Sequence, residues 1–172
     1  MALEESLKKF GSSLDNLREA FTGVRIRVAE DRPRNERALI TDGLEDIVEA
    51  VWGSLQDADK HGMAARIALD REPRLHEVRR SLAKCQQAFR TATHRYFSEL
   101  ISYARLAELK EFGRERGSAW EAWVETVMSG LEKCRVPLDE ANAALDSCWE
   151  DLAQLLGGPA AAEPRSDIAK AG

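Results

Sequence analysis

The chain has 172 residues, of which 44% are hydrophobic and 32% charged, and its net charge is −5 at pH 7. This length is enough for one domain with its own core, and the acidic balance argues against a nucleic-acid binder, which needs a basic face. No apolar run approaches the roughly 20 residues of a membrane span, and the charged N-terminus does not resemble a secretory signal, so a cytoplasmic protein without membrane association is expected.

The first predicted helix carries apolar residues in alternating steps of four and three. They are Leu3, Leu7, Phe10, Leu14, Leu17, Phe21, Val24 and Val28. This spacing is a heptad stripe, which lies along one face of a helix and must pack against partner helices. The charged segment that follows contains Pro33, which interrupts any helix there.

A second amphipathic helix is predicted to begin between Asn35 and Thr41, which are both good N-caps. Its apolar face consists of Ile40, Leu44, Ile47, Val48, Val51, Trp52 and Leu55. Gly62, followed by the apolar Met63, has the form of a glycine C-cap. The helix is therefore expected to be interrupted there, with a short extra helix over 63–70.

The third predicted helix has Pro73 at its first turn, where proline is favoured. Its stripe runs through Leu75, Val78, Leu82, Cys85, Phe89, Ala92 and Tyr96, and then changes phase to Leu100, Tyr103 and Ala107. Such a change of phase is typical of a four-residue stutter. The helix is expected to end near Phe112 and Gly113.

Ser118 and Glu121 have the form of a capping box for a fourth helix. Its stripe consists of Trp120, Val124, Val127, Leu131, Cys134, Leu138, Ala141, Leu145, Cys148, Leu152 and Leu155. Pro137 either kinks one helix or starts another, and because the stripe keeps its phase across it, a kinked single helix is expected. Residues 158–172 are rich in small residues and proline, cannot bury a core, and are expected to be disordered.

Together the stripes predict an all-α fold, an antiparallel bundle of four long helices over residues 1–157. By rise per residue, the third and fourth helices reach roughly 60 Å and the first about 40 Å. A hairpin longer than its neighbours would leave part of its stripe uncovered, and an uncovered stripe favours a partner.

The third helix is basic, whereas the second and fourth are acidic. One interpretation is that the basic helix complements its acidic neighbours inside the bundle. The other is that its outer side, with Arg79 and Arg80, recruits an acidic partner surface. Trp120 and Trp123 are similarly open to two roles, since large aromatic residues fill cores but also anchor interfaces.

The stretch from His76 to Leu82 reads HEVRRSL. It resembles the H box of histidine-kinase phosphotransfer domains through His76, Glu77, Val78, Arg79 and Leu82. The resemblance implies an outward-facing His76 that accepts a phosphoryl group. Ser81 stands where that family usually has proline, and no glycine-rich ATP-binding motif occurs, so a kinase is excluded and a stand-alone phosphotransfer protein remains. The simpler interpretation is an exposed histidine on a charged helix.

No other chemistry is visible in the sequence. A carboxylate-bridged di-iron site needs histidines three residues after glutamates, and none of the three histidines has this spacing. Nucleotide-binding and serine-hydrolase motifs do not occur. Cys85, Cys134 and Cys148 occupy stripe positions, so we expect them to be buried, reduced and unreactive. No metal, cofactor or small-molecule substrate is therefore expected.

The sequence has long apolar stripes for helix packing but no catalytic or ligand-binding motif. This combination favours a non-enzymatic helical interaction module, a scaffold or adaptor that binds another helical protein or a second copy of itself. Phosphotransfer at His76 is the first alternative. The second is a membrane-active bundle that exposes its stripes to lipid, although the first helix lacks the lysine-rich polar face of interfacial helices.

Overall fold

The computed structural model describes residues 1–30, 38–71, 75–108 and 118–157, without the side chains of 38–41, 96, 106–108 and 118–120. The described residues are almost entirely helical. The helices are α1 (Ala2–Ala29), α2 (Ala38–Arg71), α3 (Leu75–Arg90), a π-helical segment (Thr91–Phe97), α4 (Ser98–Glu108), α5 (Ser118–Lys133) and α6 (Arg135–Leu155). The turns predicted around Pro33, Pro73 and Gly113 and the tail predicted over 158–172 lie outside the described residues.

The helices form four antiparallel rods, because α3, the π-helical segment and α4 are continuous and α5 leads directly into α6. The first rod, α1, packs against α2 on one side and against α5 and α6 on the other. The second, α2, packs against α3, the π-helical segment and α4, and α4 meets α5. The all-α bundle predicted from the sequence is therefore confirmed.

The direction of α1 relative to its neighbours follows from contacts near both of its ends. Ser6 donates a hydrogen bond to Asp151 of α6, whereas the indole N–H of Trp123 in α5 donates to the Arg27 carbonyl. The N-terminal end of α1 therefore lies beside the C-terminal end of the fourth rod, and the two rods are antiparallel. Across the other side, Arg25 pairs with Glu49 of α2, and antiparallel packing holds there too.

The core lies between the four rods and is built from the predicted stripes. All eight stripe residues of α1 are at most 1% exposed. The second, third and fourth rods contribute Leu44, Val48, Val51, Leu55, Val78, Leu82, Cys85, Phe89, Val124, Val127, Leu131, Cys134, Ala141, Leu145, Cys148 and Leu152. Leu155, the last predicted stripe position, is exposed. Heptad spacing therefore identified most of the core.

The interruption predicted at Gly62 is wrong, and so is the separate helix over 63–70. A single helix, α2, continues through Gly62 to Arg71. A Cβ atom at this glycine would lie 3.5 Å from the Phe10 ring and 3.6 Å from the Cys85 sulfur. Both distances are ordinary van der Waals contacts, so the glycine is a buried residue inside the helix, where α1, α2 and α3 meet, and not a helix end.

The continuous α2 also changes the predicted lengths of the rods. It has 34 residues, about 50 Å at the α-helical rise. The described part of the third rod, residues 75–108, has the same number of residues, whereas α1 has 28 and is shorter, as predicted. In the described part of that rod, the stripe residues Val78, Leu82, Cys85, Phe89, Ala92 and Leu100 are covered by the other rods.

The phase change predicted in the third helix has a different cause from a stutter. It is produced by the π-helical segment, in which the hydrogen-bonded turn takes one more residue than in an α-helix. Buried positions advance by five residues, from Ala92 to Phe97, before α-helical steps resume at Leu100. Phe97 is buried, and its ring centroid lies 6.2 Å from that of Phe21. The side chain of Tyr96, which the prediction placed in the stripe, lies outside the described residues.

The fourth rod is interrupted three residues before Pro137. The break is a single residue, Cys134, whose torsion angles (φ −76°, ψ −17°) remain right-handed helical. Proline has no N–H to donate to the carbonyl of Lys133, which explains why the α-helical pattern is broken nearby. The kinked single helix predicted from the sequence is thus two helices joined by one residue, with the stripe continuing from Leu131 to Ala141.

Candidate interaction surface

The C-terminal half of α2 exposes two large apolar side chains, Met63 at 53% and Ile67 at 48%. They are four residues apart, so they lie on the same face of the helix one turn from each other. Gly62, Ala65 and Leu69 are buried and face the core. Among the large apolar residues exposed in the described part of the chain, only Met63 and Ile67 lie one turn apart on the same helix.

Ile67 borders an open groove of about 780 Å³ between α2 and α3. The groove is lined by Ala64, Ile67, Ala68, Arg71, Glu77, Arg80 and Ser81. Three of these residues are small, and they leave space between two helices that otherwise pack side by side. Met63 lies one turn from Ile67 and lines the neighbouring groove between α1 and α2. The name α2–α3 groove is used below for the groove beside Ile67 together with this adjacent Met63 side chain.

The α2–α3 groove has a basic border. Arg71 and Arg80 are exposed at its edges. Lys60 on α2, one turn before Ala64, and Lys84 on α3, one turn after Arg80, are also exposed. Two acids lie nearby: Glu77, which has an interaction within the chain, and Asp70. Cations therefore outnumber anions here, although the chain as a whole is acidic.

The predicted interface residues fall in different places. Arg80 lines the α2–α3 groove, and Arg79 is exposed but engaged within the chain. Trp123 is only 4% exposed, and its indole N–H donates to the Arg27 carbonyl at 2.8 Å, so it serves the bundle interior. The side chain of Trp120 lies outside the described residues.

The apolar residues of the groove, Met63 and Ile67, did not enter the sequence predictions. A signal for them exists in the sequence. After Leu55 the stripe continues as Ala58, Gly62, Ala65 and Leu69, all small except the last. Met63 and Ile67 are larger than the stripe residues beside them and are out of phase with the stripe. Assigning a helix end at Gly62 concealed this mismatch.

His76 is the second residue of α3, and its side chain is exposed. Val78 is buried on the opposite side of the same turn. This orientation is the one that the phosphotransfer hypothesis requires, but it is equally typical of a surface histidine. His94, in the π-helical segment, is exposed as well.

A second, smaller groove of about 360 Å³ lies between α1 and α2, with Gly11 and Gly62 among its lining residues. Its two lining aspartates are paired with Arg18, which lies 3.3 Å from Asp59 and 3.5 Å from Asp15. Above it, the Trp52 ring is covered by Arg25, whose guanidinium carbon is 4.4 Å from the ring centroid. These interactions join α1 to α2.

The three cysteine thiols are buried and are poor nucleophiles. Loss of solvation on burial raises the pKa of Cys85, Cys134 and Cys148 to about 12 each. The neighbouring Cys148 thiol contributes to the raised pKa of Cys85. The thiolate is the reactive form, so these groups stay unreactive at neutral pH.

Within the described ranges no cluster of histidine, cysteine and acidic residues is suited to hold a metal ion. None of the helices in those ranges is long and apolar enough to cross a bilayer. No family model, curated protein or solved structure matches the chain. The α2–α3 groove is therefore the feature on which a functional proposal can be based.

Proposed function

We propose that the protein is a non-enzymatic helical interaction module that binds a partner protein through the α2–α3 groove. The observation that carries the proposal is the exposure of Met63 and Ile67 on consecutive turns of α2. About half of each side chain still contacts water. Covering that half would contribute on the order of 1 kcal/mol per residue, since full burial of such a side chain is worth about 1.5–3 kcal/mol.

The position of these residues supports binding to a protein. The stripe residues of the four rods already pack against one another, so α2 needs neither Met63 nor Ile67 for the core. The groove beside them runs between two helices, and a groove of this kind is a common docking site for a third helix. Its basic border supplies charges that can select the partner.

The proposal is tested by placing a photo-crosslinking amino acid at Ile67 in cells that make the protein. A matched control places the same group at Ala143, which is exposed on α6. We expect a defined crosslinked species from position 67 and none from position 143. Light scattering of the purified chain at several concentrations then distinguishes a second copy from another protein. A monomer that crosslinks to nothing from position 67 would contradict the proposal.

Phosphotransfer at His76 remains a second candidate function, supported by the exposure of that side chain on α3. It predicts that a phosphorylated response regulator labels the wild-type chain and that His76→Gln is not labelled. His94→Gln is the matched control, because it removes another exposed histidine. Equal labelling of the wild type and His76→Gln would end this hypothesis.

A further inference from the structure

We infer that the partner of the α2–α3 groove is an amphipathic helix of another protein, with acidic residues flanking its apolar stripe. This inference rests on the proposed function and specifies the chemistry of the partner. It is drawn from three properties of the described residues: the shape of the groove, the spacing of its apolar residues and the sign of its border charges.

The shape of the groove suits a helix. Ala64 and Ala68 on α2 and Ser81 on α3 have short side chains, which let a third helix approach the two that form the groove. Packed helix axes are usually about 8–10 Å apart, and small residues at the contact permit the lower end of this range. Met63 and Ile67 are one turn apart, a spacing that matches the apolar steps of a partner helix.

The charges indicate which helix would bind. Lys60 and Arg71 are exposed on the α2 side of the groove, and Arg80 and Lys84 are exposed on the α3 side. A helix lying between the two would have cations along both edges. Aspartate or glutamate beside its apolar stripe would therefore be attracted from both sides, whereas lysine would be repelled. Asp70 and Glu77 weaken this preference but do not reverse it.

A second copy of the chain fits less well. Pairing the same groove face to face would bring cations opposite cations. The outward side of α6 is acidic, with Asp139, Glu140, Asp146 and Glu150 exposed. However, in the described part of α6 the exposed large apolar residues are Val136 and Leu155, at opposite ends of the helix. The described residues of the chain thus offer no acidic helix with exposed apolar residues on successive turns, which favours another protein as the partner.

Residues 158–172 of the chain itself do not have the required charge. They contain two acidic residues, Glu163 and Asp167, and two basic residues, Arg165 and Lys170, and are formally neutral. An anionic membrane would satisfy the cations of the groove, but interfacial helices bind lipid through an exposed apolar face and not through a concave groove. Both are outcomes that the following experiment distinguishes.

The test measures the fluorescence anisotropy of two labelled amphipathic helical peptides mixed with the full chain. The peptides share one leucine stripe, and its flanking positions are glutamate in one peptide and lysine in the other. We expect the glutamate peptide to bind at least about tenfold more tightly. Its affinity should fall steeply toward about 1 M salt, where the Debye length is about 3 Å.

Three variants locate the binding site. Ile67→Glu should abolish binding of the glutamate peptide, and Arg71→Glu combined with Arg80→Glu should weaken it by about tenfold or more. Arg135→Glu changes an exposed arginine of α6 and should leave binding unchanged. Because all these side chains are exposed, we expect the variants to remain folded, and their thermal unfolding by circular dichroism provides the check.

Equal or tighter binding of the lysine peptide would overturn the inference, and so would binding that Ile67→Glu leaves intact. If position 67 still crosslinks to a partner in such a case, the interaction function stands and only the acidic helix is wrong.

If no peptide binds and no crosslink forms, both proposals fail. A third outcome is that the chain binds no peptide but sediments with phosphatidylserine vesicles, and that Ile67→Glu does not sediment with them. This result would overturn the inference and identify a membrane surface as the occupant of the groove. Tighter peptide binding after truncation at Gly157 would identify residues 158–172 as a competing occupant and overturn the inference in favour of that segment.

Discussion

Two glycines of α2 illustrate how the same residue meets different requirements. At Gly43, a Cβ atom would lie 2.5 Å from the hydroxyl oxygen of Tyr103 and 2.8 Å from its Cζ atom. At Gly53, a Cβ atom would meet nothing within 4 Å. Both glycines cost the helix backbone entropy, but only Gly43 makes room for a neighbouring side chain.

Gly53→Ala should therefore raise the free energy of unfolding by about 1 kcal/mol, the helix-propensity difference between the two residues. Gly43→Ala should be less stable than Gly53→Ala by at least about 1 kcal/mol, because the Tyr103 ring has to move. Urea unfolding measures both. In a Tyr103→Ala background the difference between the two variants should disappear, and a difference that persists would place its cause outside this contact.

The buried thiols predict how stability depends on alkaline pH. Burial raises the pKa of all three from 9.0 to about 12, so between these values the folded chain retains protons that the unfolded chain has released. Their contribution to stability is complete below pH 9 and is lost as the pH rises toward 12. Each thiol contributes a slope of about 1.4 kcal/mol per pH unit in this range.

Urea unfolding of the wild type and of a variant with all three cysteines changed to alanine measures this effect. The alanine variant is expected to be less stable at pH 8 because it lacks three buried side chains. Between pH 9 and 11 it should lose less stability than the wild type, because it has no thiols to release protons. The other titrating groups are the same in both proteins and cancel in the comparison. Parallel pH dependence of the two proteins would mean that the thiols do not titrate with raised pKa values.

Among the helical elements, the π-helical segment adjusts which residues of the third rod face the core. The five-residue step from Ala92 to Phe97 would become a four-residue step if one residue of the segment were deleted. Deleting His94, which is exposed, should thus turn the segment into an α-helix and keep the flanking residues on the core face. We expect a midpoint of thermal unfolding close to that of the wild type.

Deleting Gln87 is the matched control, because it is an exposed residue within α3. This deletion rotates Phe89 and the residues beyond it by about 100° relative to Val78, since each residue of an α-helix contributes that angle. It should lower the stability by several kcal/mol through lost burial. Equal loss in both deletion variants would show that the π-helical segment does not correct the register.

Elements that repeat a simple period could be predicted from the sequence. The stripe of α1 was predicted without error because its eight residues follow one period and all of them face partner helices. The π-helical segment was visible as a change of phase but not as a structure, since a stutter and an added residue give similar patterns. The helix predicted to end at Gly62 continues because the residue is buried beside Phe10 and Cys85, which are distant in the sequence.

The candidate site was only partly predictable for the same reason. Arg80 could be placed on the outer side of a basic helix from its position relative to the stripe. The groove beside it exists only because the small residues Ala64 and Ala68 of α2 lie opposite Ser81 of α3. That juxtaposition depends on the register between two helices, and a single sequence does not specify it.

In the molecule as a whole, α1 is the rod that connects α2 with the fourth rod. It packs against α2 and also against α5 and α6, whereas direct contact between the third and fourth rods is mainly that of α4 with α5. Its eight stripe residues are almost completely buried. At about 1.5–3 kcal/mol for each side chain, their burial amounts to as much as the whole free energy of unfolding of a typical domain, about 5–15 kcal/mol.

A chain that begins at residue 31 should consequently fail to fold cooperatively, and a peptide of residues 1–30 added in trans should restore the fold. Circular dichroism measures both, as helical signal beyond the sum of the separate components. The Glu19→Gln peptide should act like the wild type because Glu19 is exposed, whereas Leu14→Asp buries a charge and should not complement. Cooperative unfolding of residues 31–172 alone would mean that contacts among α2 to α6 suffice, and that α1 covers a core which the other rods already form.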